Sequence, residues 1–174
     1  MNDDGRRELA SALVAARPHA SLGDQTAVFG RVIGAWDCDY VHFAEDGTVI
    51  ERYPGQVTFG WVLEGRAVQD VWVGDAPDGS STRHWVGTTI RIFDPGARLW
   101  KVLWITPENG AVTVVKGGAV GDRIVLEGEN ADGSRHRWSF NEIRHESFVW
   151  RGERSTDCGQ TWNLLAEYSL TRRT

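Results

Sequence analysis

Four residues between positions 42 and 91 have side chains suited to chemistry: His42, Asp70, His84 and Arg91. They fall in stretches that alternate at period two. In an extended strand, Trp36, Cys38, Tyr40 and His42 share one face. The same parity groups Val68, Asp70 and Trp72, and it is extended to His84, Gly87, Thr89 and Arg91. The opposite setting of that last strand turns Trp85 inward in place of His84. His42 or His84 can serve as a general acid or base near neutral pH. Asp70 can orient it, and Arg91 can hold an anionic group or a carbonyl. Asp70 and Arg91 can equally form a buried ion pair whose role is structural.

Around these residues the sequence places Tyr40, Phe59, Trp61, Trp72, Trp100, Trp104, Trp138, Phe140, Phe148, Trp150 and Tyr168 on the same inner face. An aromatic lining with a few orienting polar groups is the make-up of a small-molecule pocket. Tryptophans also fill barrels as plain core. Buried His, Asp, Arg and Tyr need partners or solvent, which favours a cavity. His136 reads as an ordinary strand residue and His145 as a solvated turn residue.

A second motif is Ser155-x-Asp157-x-Gly159-x-Thr161-Trp162. It resembles the Asp-box of sialidases and other β-propellers. One box in 174 residues does not make a propeller. The expected role is structural: Asp157 accepts from turn amides, Gly159 takes a left-handed backbone, and Trp162 anchors the hairpin in the core.

These residues need strands to position them. Residues Arg6–Arg17 read as a helix stopped by Pro18, with Leu9, Leu13 and Ala16 on one core-facing side. Residues 1–28 form this helix and a lead-in loop, and 29–174 the main unit. About ten strands follow, beginning with Arg31–Phe43. Pro54-Gly55 marks a bulge or bend in the second. Short turns join the strands, among them Asp75-Ala76-Pro77-Asp78-Gly79-Ser80. A sequential meander of this length closes most economically into an all-β, up-and-down antiparallel barrel, because an open sheet leaves two bare edges.

Composition narrows the function. Acidic residues outnumber basic ones, 24 to 19, for a net charge of −5, so no nucleic-acid partner is expected. No apolar run reaches membrane-spanning length, and no signal-peptide pattern precedes the first helix. The chain reads as cytoplasmic, with Cys38 and Cys158 as free thiols. The sequence leaves the oligomeric state open, a homodimer included. Local signatures for zinc, phosphate loops, dinucleotides, serine hydrolases and paired glycosidase carboxylates are absent.

Gly34-Ala35-Trp36 on the first long strand, with Leu170-Thr171-Arg172-Arg173 on the last, resembles the lipocalins and their calycin relatives. That resemblance implies an arginine stacked over Trp36 at the barrel base. From about Phe29 to Arg173 the chain also resembles a bacterial calycin-like family of unknown function, the DUF1579 type. The stretches that carry this are Gly34–Tyr40, Phe59–Trp72, Gly87–Pro95 and Arg137–Ser155. The family implies a fold and no established reaction. Fatty-acid-binding proteins and haem-binding nitrobindins look similar in outline, but the closely spaced glycines of nitrobindins do not follow Trp36.

The sequence therefore supports three functions. The first is binding of a small hydrophobic or aromatic molecule, with no cofactor. The second is a cofactor-independent lyase, isomerase or cyclase in the same cavity. The third is haem binding.

Overall fold

Alternating strands and tight turns build a closed wall. The computed structural model describes residues 2–76 and 83–174; the side chains of residues 83 and 84 lie outside that description, as does most of the turn read at Asp75–Ser80. Ten strands run in sequence: β2 (Gly34–Phe43), β3 (Val49–Val62), β4 (Ala67–Asp75), β5 (Arg83–Asp94), β6 (Leu99–Thr106), β7 (Ala111–Val120), β8 (Arg123–Glu129), β9 (Arg135–Asn141), β10 (Ser147–Ser155) and β11 (Asn163–Arg172). Each pairs antiparallel with the next, and β11 pairs with β2 to close the barrel. Closure leaves no strand edge among these ten.

The amino-terminal segment departs from expectation. Helix α1 spans Asp3–Leu13, is capped by Asn2, and buries none of its residues. Leu9 is 59% exposed, so the expected core-facing side has nothing to face. The helix stops early because Val14–Ala15 (β1) extends and pairs with Val62 and Trp61 of β3. That stretch of β3 projects past Phe59, where its pairing with β2 ends at Gly34, and its free backbone groups attract another strand.

The segment read as loop and strand start is a plug. A 3₁₀ turn (Ala20–Gln25) leads into the five-residue helix α2 (Thr26–Gly30), and β2 begins at Gly34 rather than Arg31. Leu22, Val28, Phe29 and Val32 are buried across one barrel end. Phe29 meets Trp100 and Phe140 edge-on, with centroids 5.0 Å and 5.9 Å away. Burying four apolar side chains against the barrel end outweighs the β propensity of a run such as Val28–Val32.

Trp36 completes this end. It is fully buried, donates Nε1–H to the Val32 carbonyl at 2.8 Å, and packs edge-on against Phe148. The Arg172 guanidinium lies 4.0 Å from the centroid of a Trp36 ring and donates to the Ile33 and His145 carbonyls. The expected basic cap is thus Arg172. Gly34, with φ 132°, leaves room for that guanidinium, which a Cβ would strike.

Strand β3 runs through Pro54-Gly55 without a bulge, pairing Tyr53 with Tyr40 and Gly55 with Cys38. Gly55 faces inward, and a Cβ there would overlap the Tyr40 ring and the Val73 carbonyl. Its glycine therefore serves ring packing rather than a bend. Cys38 is buried, and burial pushes its thiol up; Cys158 is exposed, and both are free.

The Asp-box is the β10–β11 hairpin clasp. Asp157 accepts from the Gln160 and Thr161 amides at 2.9 Å and from the Thr161 hydroxyl at 2.6 Å. Gly159 has φ 90°. Trp162, however, does not enter the core. Its ring lies on the outer wall, 4.0 Å beneath the Arg137 guanidinium, which also pairs with Glu153. The Asp157 carboxyl is held well below the usual carboxylate range by the Thr161 hydroxyl and the turn amides. A depressed folded value stabilises fully above the unfolded value of about 4, and the effect fades as pH falls toward the folded value. Asp157→Ala should lower the melting midpoint at pH 7. The gap from the parent should narrow below about pH 4; a gap independent of pH would show that the carboxylate is not the clasp.

Candidate functional site

The inner face divides into levels along the barrel. The plug and its phenylalanines form the base. Above them lies a cavity of about 130 Å³, lined by Trp72, Trp85, Trp104, Trp138, Trp150 and Tyr168, with Thr89 and Arg91. A further hollow shares Trp138 and Trp150 and includes Thr113, His136 and Arg154. On β9, Phe140 meets the plug and His136 lies four residues away, so this hollow is on the side of the opposite rim.

The walls are ring on ring. Trp150 stacks on Tyr168 at 4.6 Å and 16°, while Trp72 and Trp138 tilt against Trp150 at 6.0 Å and 6.1 Å. Trp85 meets Trp104 edge-on at 6.1 Å. Gly87 on β5 makes room for Trp104, whose ring occupies the place of the missing Cβ. Neighbouring strands thus supply one large ring each, with glycine where two would collide.

The charged group is anchored from β4 and β5. Arg91 Nη2 donates to Asp70 Oδ2 at 2.5 Å and to the Thr89 hydroxyl at 3.2 Å. Thr89 donates its amide and hydroxyl to Asp70 Oδ1 at 2.7 Å and 2.6 Å. Asp70 and Arg91 have side-chain exposures of 0% and 3%. The guanidinium carbon lies 5.0 Å and 5.3 Å from the Phe29 and Phe59 centroids. Arg91 Nε and Nη1 are buried without a hydrogen-bond partner among the described residues.

A second polar group lies behind the wall. His42 Nε2 is 3.0 Å from the Tyr53 hydroxyl and 3.3 Å from that of Tyr168. Trp85 Nε1 donates to the Tyr53 hydroxyl at 2.8 Å. Burial lowers the His42 pKa, against an opposing pull from Glu51, so the imidazole is neutral at pH 7. Burial pushes the Tyr168 phenol far up, which leaves it a hydrogen-bond donor.

Of the residues that the sequence places on the inner face, Trp72, Thr89, Arg91, Trp104, Trp138, Trp150 and Tyr168 line the cavity. Asp70 is the partner of Arg91. His42 and Tyr40 are set behind Tyr168, with Tyr40 stacked on Tyr53 at 5.2 Å. Phe59 lies beneath Arg91, and Trp61 sits beside Gly30 of the plug, so neither is a lining residue. The side chain of His84 lies outside the described residues. Trp85 lines the cavity, as the opposite setting of its strand has it; Tyr53 is a residue that the sequence does not place inside. Strict alternation back from Arg91 selects Trp85, and an unbroken β3 selects Tyr53. Among the described residues no group of three His, Cys, Asp or Glu side chains could hold a metal ion. Nor, among the described residues, is any helix long and apolar enough to cross a membrane.

Comparison with known proteins bears on the barrel. The chain is similar to the solved S-type phycobiliprotein lyase CPES from Guillardia theta, with 11% identity and a TM-score of 0.59, covering 84% of this chain and 90% of that one. The fold is calycin-like. A redesigned β-barrel (14% identity, 84% of this chain and 96% of that one) gives a TM-score of 0.46. A DUF3598-family protein of unknown function from Nostoc punctiforme (8% identity, 86% and 99%) gives 0.27. No family model matches the chain, and no curated protein does, so the DUF1579-type resemblance gains no family assignment.

Proposed function

We propose that this calycin-like barrel binds a small aromatic or apolar molecule in the tryptophan-lined cavity. The observation that carries the reading is the cavity itself, walled by five tryptophans and Tyr168. A side-chain-filled barrel has no use for such a space, whereas flat rings on several sides suit a planar guest. Small aromatic and long-chain apolar ligands should quench the intrinsic tryptophan fluorescence saturably. Trp104→Ala should weaken binding by roughly three- to tenfold, the worth of one aromatic contact. Failure of every such ligand to quench would refute the proposal.

A second reading is favoured by His42. A neutral imidazole touching Tyr168, itself a lining residue, can pass a proton to or from a bound molecule through one phenol. The similarity to a phycobiliprotein lyase is one of fold, and it sets lyase chemistry beside binding as an option for this chain. Conversion of the bound molecule, abolished in His42→Gln with binding kept, marks the enzyme; an unchanged molecule marks the binder. Haem is the third reading: His42 Nε2 is engaged by two phenols and the side chain of His84 lies outside the described residues, so a Soret band on adding hemin, lost in one histidine variant, is its test. The DUF1579-type resemblance goes with the proposal and adds no reaction to it.

A further inference from the structure

We infer that the cavity's ligand carries a neutral carbonyl acceptor, as in an aromatic ketone, amide or lactam, and that Arg91 receives it; this rests on the binding reading above. A guanidinium carries five N–H donors. Nη2 is committed to Asp70 and Thr89. Nε and Nη1, with three N–H between them, are buried and unpartnered among the described residues. The faces of Phe29 and Phe59 attract the positive charge but offer no lone pair. Buried donors on a charged group are costly to leave unsatisfied. Arg91 is one of the cavity's lining residues, and its Nε and Nη1 are covered in this structure, so the guest's acceptor reaches them as the packing around the guanidinium gives way.

Charge decides which acceptor. Asp70 already neutralises Arg91, and the two are among the most deeply buried charged side chains of the barrel. The other lining residues are Trp, Thr and Tyr, which bring no positive charge. A carboxylate guest would add a third, uncompensated charge to a poorly solvated site. A carbonyl oxygen satisfies the orphan donors without adding any, and its flat conjugated frame suits the ring walls.

The test uses three single-ring probes of near-equal size on the intact protein: acetophenone, ethylbenzene and benzoate. Binding is followed at pH 7 through the tryptophan indole N–H signals in ¹⁵N–¹H NMR spectra. Acetophenone should bind at least about tenfold more tightly than ethylbenzene, as for one hydrogen bond to a charged donor. Benzoate should bind no more tightly than ethylbenzene. In Asp70→Asn/Arg91→Met the ratio of acetophenone to ethylbenzene affinity should fall to near one. Equal affinity of acetophenone and ethylbenzene for the parent protein overturns the Arg91 contact while leaving the cavity reading intact. Tightest binding by benzoate overturns the charge rule. If none of the probes shifts an indole signal, the binding reading itself fails, and this inference with it.

Discussion

Arg91→Met should destabilise the barrel by about 3–5 kcal/mol, the cost of stranding a buried carboxylate. Asp70 is fully buried and would keep only the two donors of Thr89. Adding Asp70→Asn should return most of the loss, because the amide requires no counter-charge. The measurement is chemical denaturation of the parent, both single variants and the double variant, analysed as a double-mutant cycle. Additive losses would mean that the two groups do not act as a pair. Recovery in the double variant would show that the pair's cost lies in breaking it, which leaves its retention to be explained by what Arg91 does in the cavity.

Trp36→Ala should cost a similar amount, about 3–5 kcal/mol, through a different mechanism. The indole is fully buried, packs on Phe148, holds the Val32 carbonyl and carries Arg172 on its face. Its loss opens a void at the junction of plug and wall. Trp36→Phe keeps an aromatic face for Arg172 but loses the N–H donor, so it should fall between the two. An unchanged unfolding curve for Trp36→Ala would remove Trp36 from the core and the plug from the account of stability.

The wall was legible in the sequence because alternation and turn chemistry are local. Stretches such as Trp100, Val102 and Trp104 opposite Lys101 declare their face without help from the rest of the chain. The Asp157 turn was legible because its residues sit at fixed offsets within one hairpin connection, and the Arg172–Trp36 cap because its residues face each other on paired strands; the place of Trp162 on the outer wall was not legible. The plug was not legible. The chain before Gly34 reads as a lead-in loop and, from Arg31, as the start of a strand, and only the closed barrel provides the end that Phe29 fills. The first helix was visible by propensity, yet its partner surface was not; Leu9 and Leu13 share a side that meets no core. Among the site residues, seven cavity-lining side chains followed from parity, Thr89 and Tyr168 among them. On β5 parity leaves two settings a residue apart, and the structure takes the one that turns Trp85 inward; Tyr53 stays hidden because Pro54-Gly55 reads as a break in β3. The orphan nitrogens of Arg91 follow from no pattern in the sequence, since they depend on where every neighbouring acceptor ends up.

The plug also sets a traffic rule. The barrel wall is continuous, and α2 seals one end, so the cavity is a blind alley rather than a tunnel. Whatever arrives from the far rim must leave by retreating along the same path. If the molecule is transformed inside, reactant and product cannot pass one another. Each turnover then waits for the pocket to be vacated, the product competes directly with the reactant, and one guest is handled at a time. If the molecule is merely held, the same geometry makes loading and unloading forward and reverse of one passage, with the tryptophans nearest the rim setting how long the guest stays.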